Sequence, residues 1–310
     1  MKTKLYNPAL EQSARQAVCF IGKKRVCSDL RRRAAAQRYV MRTLRRATIV
    51  AAWDSGSPRS YLTEENRTLT RSELGNGERS LLRTFGRELA LLVALYAGLK
   101  TLFIFVVYPM IGWQTNAPTP AVSVILTVVI IWMARTRGES LAAFGLARPR
   151  PIWLAVVLAL VFVAAQAFAF QPIRDLLREA VSAPAADISS LSHIHGNLVA
   201  YLGWLVIAWV AAGFCEEFIF RGYLMNRIAA LGRGTVLAWS FAIIMQAVLF
   251  GLVHLWAGPA SLLTAGFGGL VYGVFFLIAG RNLWALILYH GIWNSLGVTL
   301  IYLNGVPSTS

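Results

Sequence analysis

This sequence predicts an all-α, polytopic membrane bundle of about seven to eight helices with a polar cavity inside it, and three observations carry that prediction. Only 14% of the 310 residues are charged while 57% are hydrophobic, against roughly 25% charged in an ordinary soluble domain. Apolar runs recur from residue 88 to the end, and several reach the ~20 residues that a helix needs to cross a bilayer. Arginines gather in alternate connections between those runs, the pattern that fixes topology across a membrane.

The runs fall at about 88–112, 120–134, 152–171, 198–220, 236–257, 260–279 and 283–303. The second is short for a crossing, and Pro151 and Pro172 bound the third. Arg135, Arg137, Arg148 and Arg150 follow the second run. Arg221, Arg227 and Arg233 follow the fourth, and Arg281 separates the last two. Together with the basic N-terminus they share one side, the cytoplasmic one by the positive-inside rule. Seven crossings result, and splitting one would give eight. Segment 173–182 (IRDLLREAVS) is amphipathic and suited to an interface. Gly269 and Gly273 are four apart, a spacing that lets helix backbones approach closely.

The chain divides into a basic extension at 1–85, N-terminal transmembrane helices at 86–135 and a membrane core at 136–305. Residues 1–87 hold 19 of the 30 Lys and Arg and 7 of the 14 acids, a net of +12 out of +16. The high charge therefore belongs to the extension. Its turn-forming, charged composition over 54–80 predicts disorder, and 29–52 could lie as a basic helix on an anionic membrane. No nucleic-acid recognition motif accompanies the charge, so nucleic acid is not an expected partner. Nor does an apolar signal region follow the first basic residues. Cys19, Cys27 and Cys215 form no Cys-x-x-Cys or zinc spacing, and Cys215 reads as packing.

Charged groups at membrane depth are costly and persist when paired or functional. Three places in the C-terminal half hold them. In Glu216-Glu217-Phe218-Ile219-Phe220-Arg221, residues 217 and 221 are i and i+4, the favourable order for an ion pair. At ~100° per residue Glu216 is turned about 140° from Arg221, so one glutamate is held while the other stays available. Phe250-Gly251-Leu252-Val253-His254 puts a histidine in the next run. His290-Gly291-Ile292-Trp293-Asn294 puts a histidine and an amide on one face of the last. Each has a plain structural reading: an ion pair at a helix end, a histidine bonded to a neighbouring helix, an asparagine joining helices. His193 and His195, the other two histidines, lie in a connection and read as solvated surface.

Taken together, the residue types suit peptide hydrolysis. A carboxylate in a low-dielectric cavity can take a proton from water and pass it to a leaving amine. Imidazole and amide groups can donate to an oxyanion. Two histidines and a glutamate could also hold zinc with one position open to water. However, there is no His-Glu-x-x-His and no Gly-x-Ser-x-Gly.

At these residues the chain resembles the CPBP family of CAAX proteases and bacteriocin-processing proteins. That family carries Glu-Glu-x-x-x-Arg, then Phe-x-x-x-His, then His-x-x-x-Asn/Asp on successive membrane helices. Here these are Glu216-Glu217 to Arg221, Phe250 to His254, and His290 to Asn294. GESLAAFGLARPR at 138–150 and the glycine-rich stretch before the last run also look like the family, so the likeness covers roughly 136–300. It implies an intramembrane endopeptidase acting on a membrane-associated protein or peptide. It implies that Glu216 activates water with help from His254, and that His290 and Asn294 stabilise the oxyanion. Glu217, Arg221 and Phe250 are expected to support that set. No cofactor is expected, with a divalent metal such as zinc at Glu216, His254 and His290 as the alternative. A multi-pass protein of a bacterial inner membrane with a cytoplasmic N-terminus is the expected setting. The alternative function is a non-catalytic scaffold or bacteriocin-immunity protein using the same cavity. A transporter is disfavoured because no inverted repeat is visible.

Overall fold

A computed structural model describes residues 71–112, 118–149, 151–180 and 186–306. The basic runs, Cys19, Cys27 and the surface helix expected over 29–52 lie outside these residues. Among the described residues the fold is all-helical, without strands. Six helices are long and apolar enough to cross a membrane, and Pro120–Thr136 is a shorter apolar one. The chain is thus a multi-pass integral membrane protein, with a helix at each of the expected crossings.

Helix α1 spans Arg71–Leu102, beginning well before the apolar run at 88. It continues through a π-wound turn, Phe103–Val107, into Tyr108–Ile111. Helix α2 is Pro120–Thr136. Helix α3 is Ile152–Ala165, continued by a π turn at Gln166–Phe170 and by Gln171–Ala180. Helix α4 starts at Leu198–Ile207, winds as π helix through Ala208–Glu216 and Phe218–Met225, and ends with Asn226–Leu231. Helices α5 (Val236–Val253), α6 (Pro259–Ile278) and α7 (Leu283–Asn304) complete the bundle.

The third crossing was expected to stop at Pro172, with a separate interfacial stretch beyond. Instead α3 runs through the proline. A proline lacks the N–H of an i→i−4 bond and its ring crowds the preceding turn. The π turn just before Pro172 moves the hydrogen bonds to i→i+5 and opens that turn. Pro109 stands in the same relation to its own π turn, two residues after Val107.

The connections sort to two ends as the arginine pattern required. At one end Arg227 Nη2 donates to both oxygens of Glu139 (2.8 and 2.9 Å), Leu283 N bonds Gly145 O (2.9 Å), and Arg281 lies over Trp239. At the other, Asp187 N bonds Ala257 O and Gly196 N bonds Tyr302 O. Glu88 of α1 is 4% exposed at the arginine end, paired with Arg137 and Arg227 and accepting from the Tyr223 hydroxyl.

Close packing of α5 on α6 rests on glycines. A Cβ on Gly269 would sit 2.8 Å from Ala247 Cα, and one on Gly251 would sit 2.6 Å from Leu262 O. The spacing of Gly269 and Gly273 thus marks a helix contact, sealed by Gln246 Nε2 donating to Gly269 O (2.6 Å). Below α4, the 3-10 turn Leu141–Phe144 is capped by Ser140. Phe144 packs edge-on to Phe218, and a Cβ on Gly222 would come within 2.7 Å of Phe144 O.

Candidate active site

The intramembrane polar residues fall into two layers. The buried layer is built on Glu217 and Arg221, both 0% exposed. Arg221 Nη1 donates to Glu217 Oε1 at 3.2 Å, the i, i+4 pair read from the sequence. His290 Nδ1 lies 2.8 Å from the same oxygen, so one carboxylate oxygen joins α4 to α7. The Arg221 guanidinium packs against two adjacent aromatic rings, 4.5 Å from the Phe250 ring centre and 4.8 Å from that of Tyr272. Such contacts contribute ~0.5–2 kcal/mol each, more when desolvated. Tyr272 also stands edge-on to His290, with centroids 5.0 Å apart.

The second layer is a cavity of about 560 Å³. Glu216, His254 and Asn294 all line it, with Tyr96, Trp204 and Trp293. His254 caps the C-terminus of α5, and its Nδ1 lies 2.7 Å from Phe250 O. A carbonyl only accepts, so Nδ1 carries a proton, and in the neutral ring Nε2 keeps its lone pair. Phe250 therefore touches both layers. Its ring faces Arg221, its carbonyl fixes His254, and the two rings are 4.6 Å apart.

The structure does not place all four candidate catalytic residues on one surface. His290 is 5% exposed and turned to Glu217, while Asn294, one turn further along α7, lines the cavity. The helical winding also differs from the α geometry used to read the Glu pair, since the stretch from Ala208 to Met225 is largely π-wound. Glu216 nonetheless lines the cavity while its neighbour pairs with Arg221. The cavity follows α4 from Trp204 to Phe220, roughly 20 Å. That length lets His254, at the far end of α5, share it with Glu216.

Among the described residues no three His, Cys, Asp or Glu side chains are arranged to hold a metal ion. Of the set Glu216, His254 and His290, the first two line the cavity, while His290 meets Glu217 through Nδ1 in the buried layer. His193 is exposed, as expected, but tied down. It accepts from Trp204 Nε1 (3.0 Å) and its Nδ1 meets Ser190 O (2.9 Å). Cys215 is buried and unpaired.

Three polar residues were not singled out from the sequence. Lys100 and Arg174 line the cavity, and Glu88 closes the arginine end. Lys100 carried a readable signal, a lone lysine inside the first apolar run. Glu88 stands at the first position of the expected run 88–112, just after the arginines of the extension, and only its burial sets it apart.

Among the described residues this arrangement gives a membrane-embedded site with an unpaired carboxylate, an oriented imidazole and an unpaired amide around one cavity. Residues 198–296 match the family described as type II CAAX prenyl endopeptidase Rce1-like, consistent with the CPBP resemblance. All three motifs lie inside that segment. The family is one of CAAX protease-type intramembrane endopeptidases. No curated protein and no solved structure matches the chain.

Proposed function

We propose that the chain is an intramembrane endopeptidase that hydrolyses peptide bonds with water activated by Glu216. One observation carries this reading: Glu216, His254 and Asn294 line a single cavity inside a multi-pass bundle. Glu216 takes the proton of a water and later delivers it to the leaving amine. His254 accepts a hydrogen bond from that water through Nε2, the nitrogen left free by the bond to Phe250 O. The Asn294 amide donates to the oxyanion of the tetrahedral intermediate. His290 supports the site from the buried layer, where it joins α7 to Glu217, whose charge is balanced by Arg221. The substrate is a membrane-associated protein or peptide. The end bearing Arg137, Arg227 and Arg281 faces the cytoplasm of a bacterial cell, with the N-terminus on that side.

The test uses full-length protein in liposomes and a panel of membrane-inserted peptides, prenylated and not, with products read by mass spectrometry. Glu216→Gln and His254→Ala each lower cleavage by at least ~10²-fold while insertion and thermal unfolding stay as in the wild type. Wild-type protein that binds these peptides and cuts none of them would instead support the scaffold or immunity reading. The chemistry proposed needs no metal. Dialysis against EDTA and 1,10-phenanthroline therefore leaves the rate unchanged, and a loss restored by zinc would overturn that part.

A further inference from the structure

The cavity contains more positive charge than its chemistry uses. Its charged lining is Glu216, Lys100 and Arg174, with His254 beside them. Two cations thus face one carboxylate. Among the described residues neither cation has a carboxylate partner. Asp175, next to Arg174 in sequence, is taken by Arg178 (3.6 Å) and by Gln171 Nε2 (3.3 Å). Arg174 itself donates from Nη1 to the neutral Gln171 Oε1 (3.3 Å), and its Nε is buried without a partner.

Depth makes Lys100 the more telling of the two. Glu88 sits on the same helix at the arginine end, paired with Arg137 and Arg227. Lys100 is twelve residues further along α1, about 18 Å at 1.5 Å per residue. That places it near the middle of a ~30 Å hydrocarbon layer. An ionisable group at that depth normally faces a cavity and serves a ligand or an ion pair. Tyr96, one turn below it, lines the same cavity and lies within electrostatic reach of Glu216.

We propose that Lys100 and Arg174 form an anion subsite that receives a carboxylate of the substrate chain, selecting segments with a negative charge near the bond to be cut. This rests on the endopeptidase reading. With Glu216 ionised the lining carries one net positive charge, and one substrate carboxylate balances it. The depth of Lys100 favours a peptide group over a phospholipid phosphate, which stays at the interface, and Arg174 lines the same cavity from the amphipathic stretch 173–182, suited to an interface. The carboxylate can be a free C-terminus or an Asp or Glu side chain, since both offer the same two oxygens.

The experiment uses the full chain carrying Glu216→Gln, so that bound peptide survives. The probe is a fluorescein-labelled alanine–leucine peptide in three forms: free C-terminal carboxylate, C-terminal amide, and amide with an internal glutamate. Anisotropy gives the ratio of acid to amide affinity, which does not depend on the folded fraction. The expected ratio is about tenfold or more, the value of one good charge-assisted bond. It falls toward one on adding Lys100→Met or Arg174→Gln, and returns with Lys100→Arg. The two acid forms tell a terminal from a side-chain carboxylate.

Equal binding of acid and amide forms by the parent protein overturns the subsite. So does a ratio that the Lys100 and Arg174 variants leave unchanged. Loss of the acid preference in phosphatidylglycerol nanodiscs, with retention in phosphatidylcholine, assigns the cations to lipid and overturns it as well. Cleavage of the same peptides by protein with Glu216 intact is scored separately. Acid preference without cleavage would sink the endopeptidase reading and leave the subsite standing.

Discussion

Arg221→Met tests whether the buried layer is an ion pair that stabilises the site. Methionine keeps much of the side-chain volume against Phe250 and Tyr272 but removes the charge. Glu217, 0% exposed, is then left with His290 alone at 2.8 Å. Removing one partner of a buried pair costs about 3–5 kcal/mol, because the remaining charge is uncompensated. The bond from His290 keeps the expected loss near the lower end of that range. At about 2–4 °C per kcal/mol for a chain of this size, the unfolding midpoint falls by roughly 6–12 °C. Thermal unfolding in detergent, followed by reactivity of the buried Cys215 thiol, gives the number. The double variant Glu217→Gln with Arg221→Met removes both charges and recovers most of the loss, since a neutral replacement of a buried pair is often tolerated. A single variant that melts with the wild type would refute the pair's role. So would a double variant no more stable than the worse single.

Two further outcomes are expected. Asn294→Ala, which deletes a cavity amide without touching the buried layer, lowers kcat by about 10²–10³ with little change in KM if it is an oxyanion donor; a change confined to KM would place it in substrate binding. Gly251→Ala drives a Cβ to 2.6 Å from the Leu262 carbonyl and costs about 1–3 kcal/mol by overpacking, whereas Gly268→Ala, with nothing within 4 Å of its new Cβ, is neutral or stabilising. Equal melting temperatures for the two glycine variants would contradict the close contact of α5 and α6.

What the sequence revealed and what it hid have physical causes. Helix positions were legible because a bilayer demands long apolar runs, and Glu217–Arg221 was legible because i, i+4 pairing is local. Non-local partners were not. His290 meets Glu217 across 73 residues of chain, and nothing in the spacing of His290 and Asn294 says that one turns inward and the other into the cavity. Helical winding was also invisible. Pro172 looked like a terminus because the π turn that accommodates it has no compositional mark. Glu88 was hidden by its neighbours Arg83 and Arg87, and its partners Arg137 and Arg227 looked like ordinary loop charges.

The cavity walls have one further consequence. Glu216, His254 and Asn294 come from the segment 198–296, but Tyr96, Lys100, Leu126 and Arg174 come from helices that precede it in the chain. In the proposed reading the reacting groups all lie in that segment, while part of the wall that a substrate meets lies ahead of it. The first three helices can diverge in what they admit while the reacting groups stay fixed. A chimera that exchanges α1–α3 between two such proteins would trade their substrates and keep the rate-determining step of the recipient.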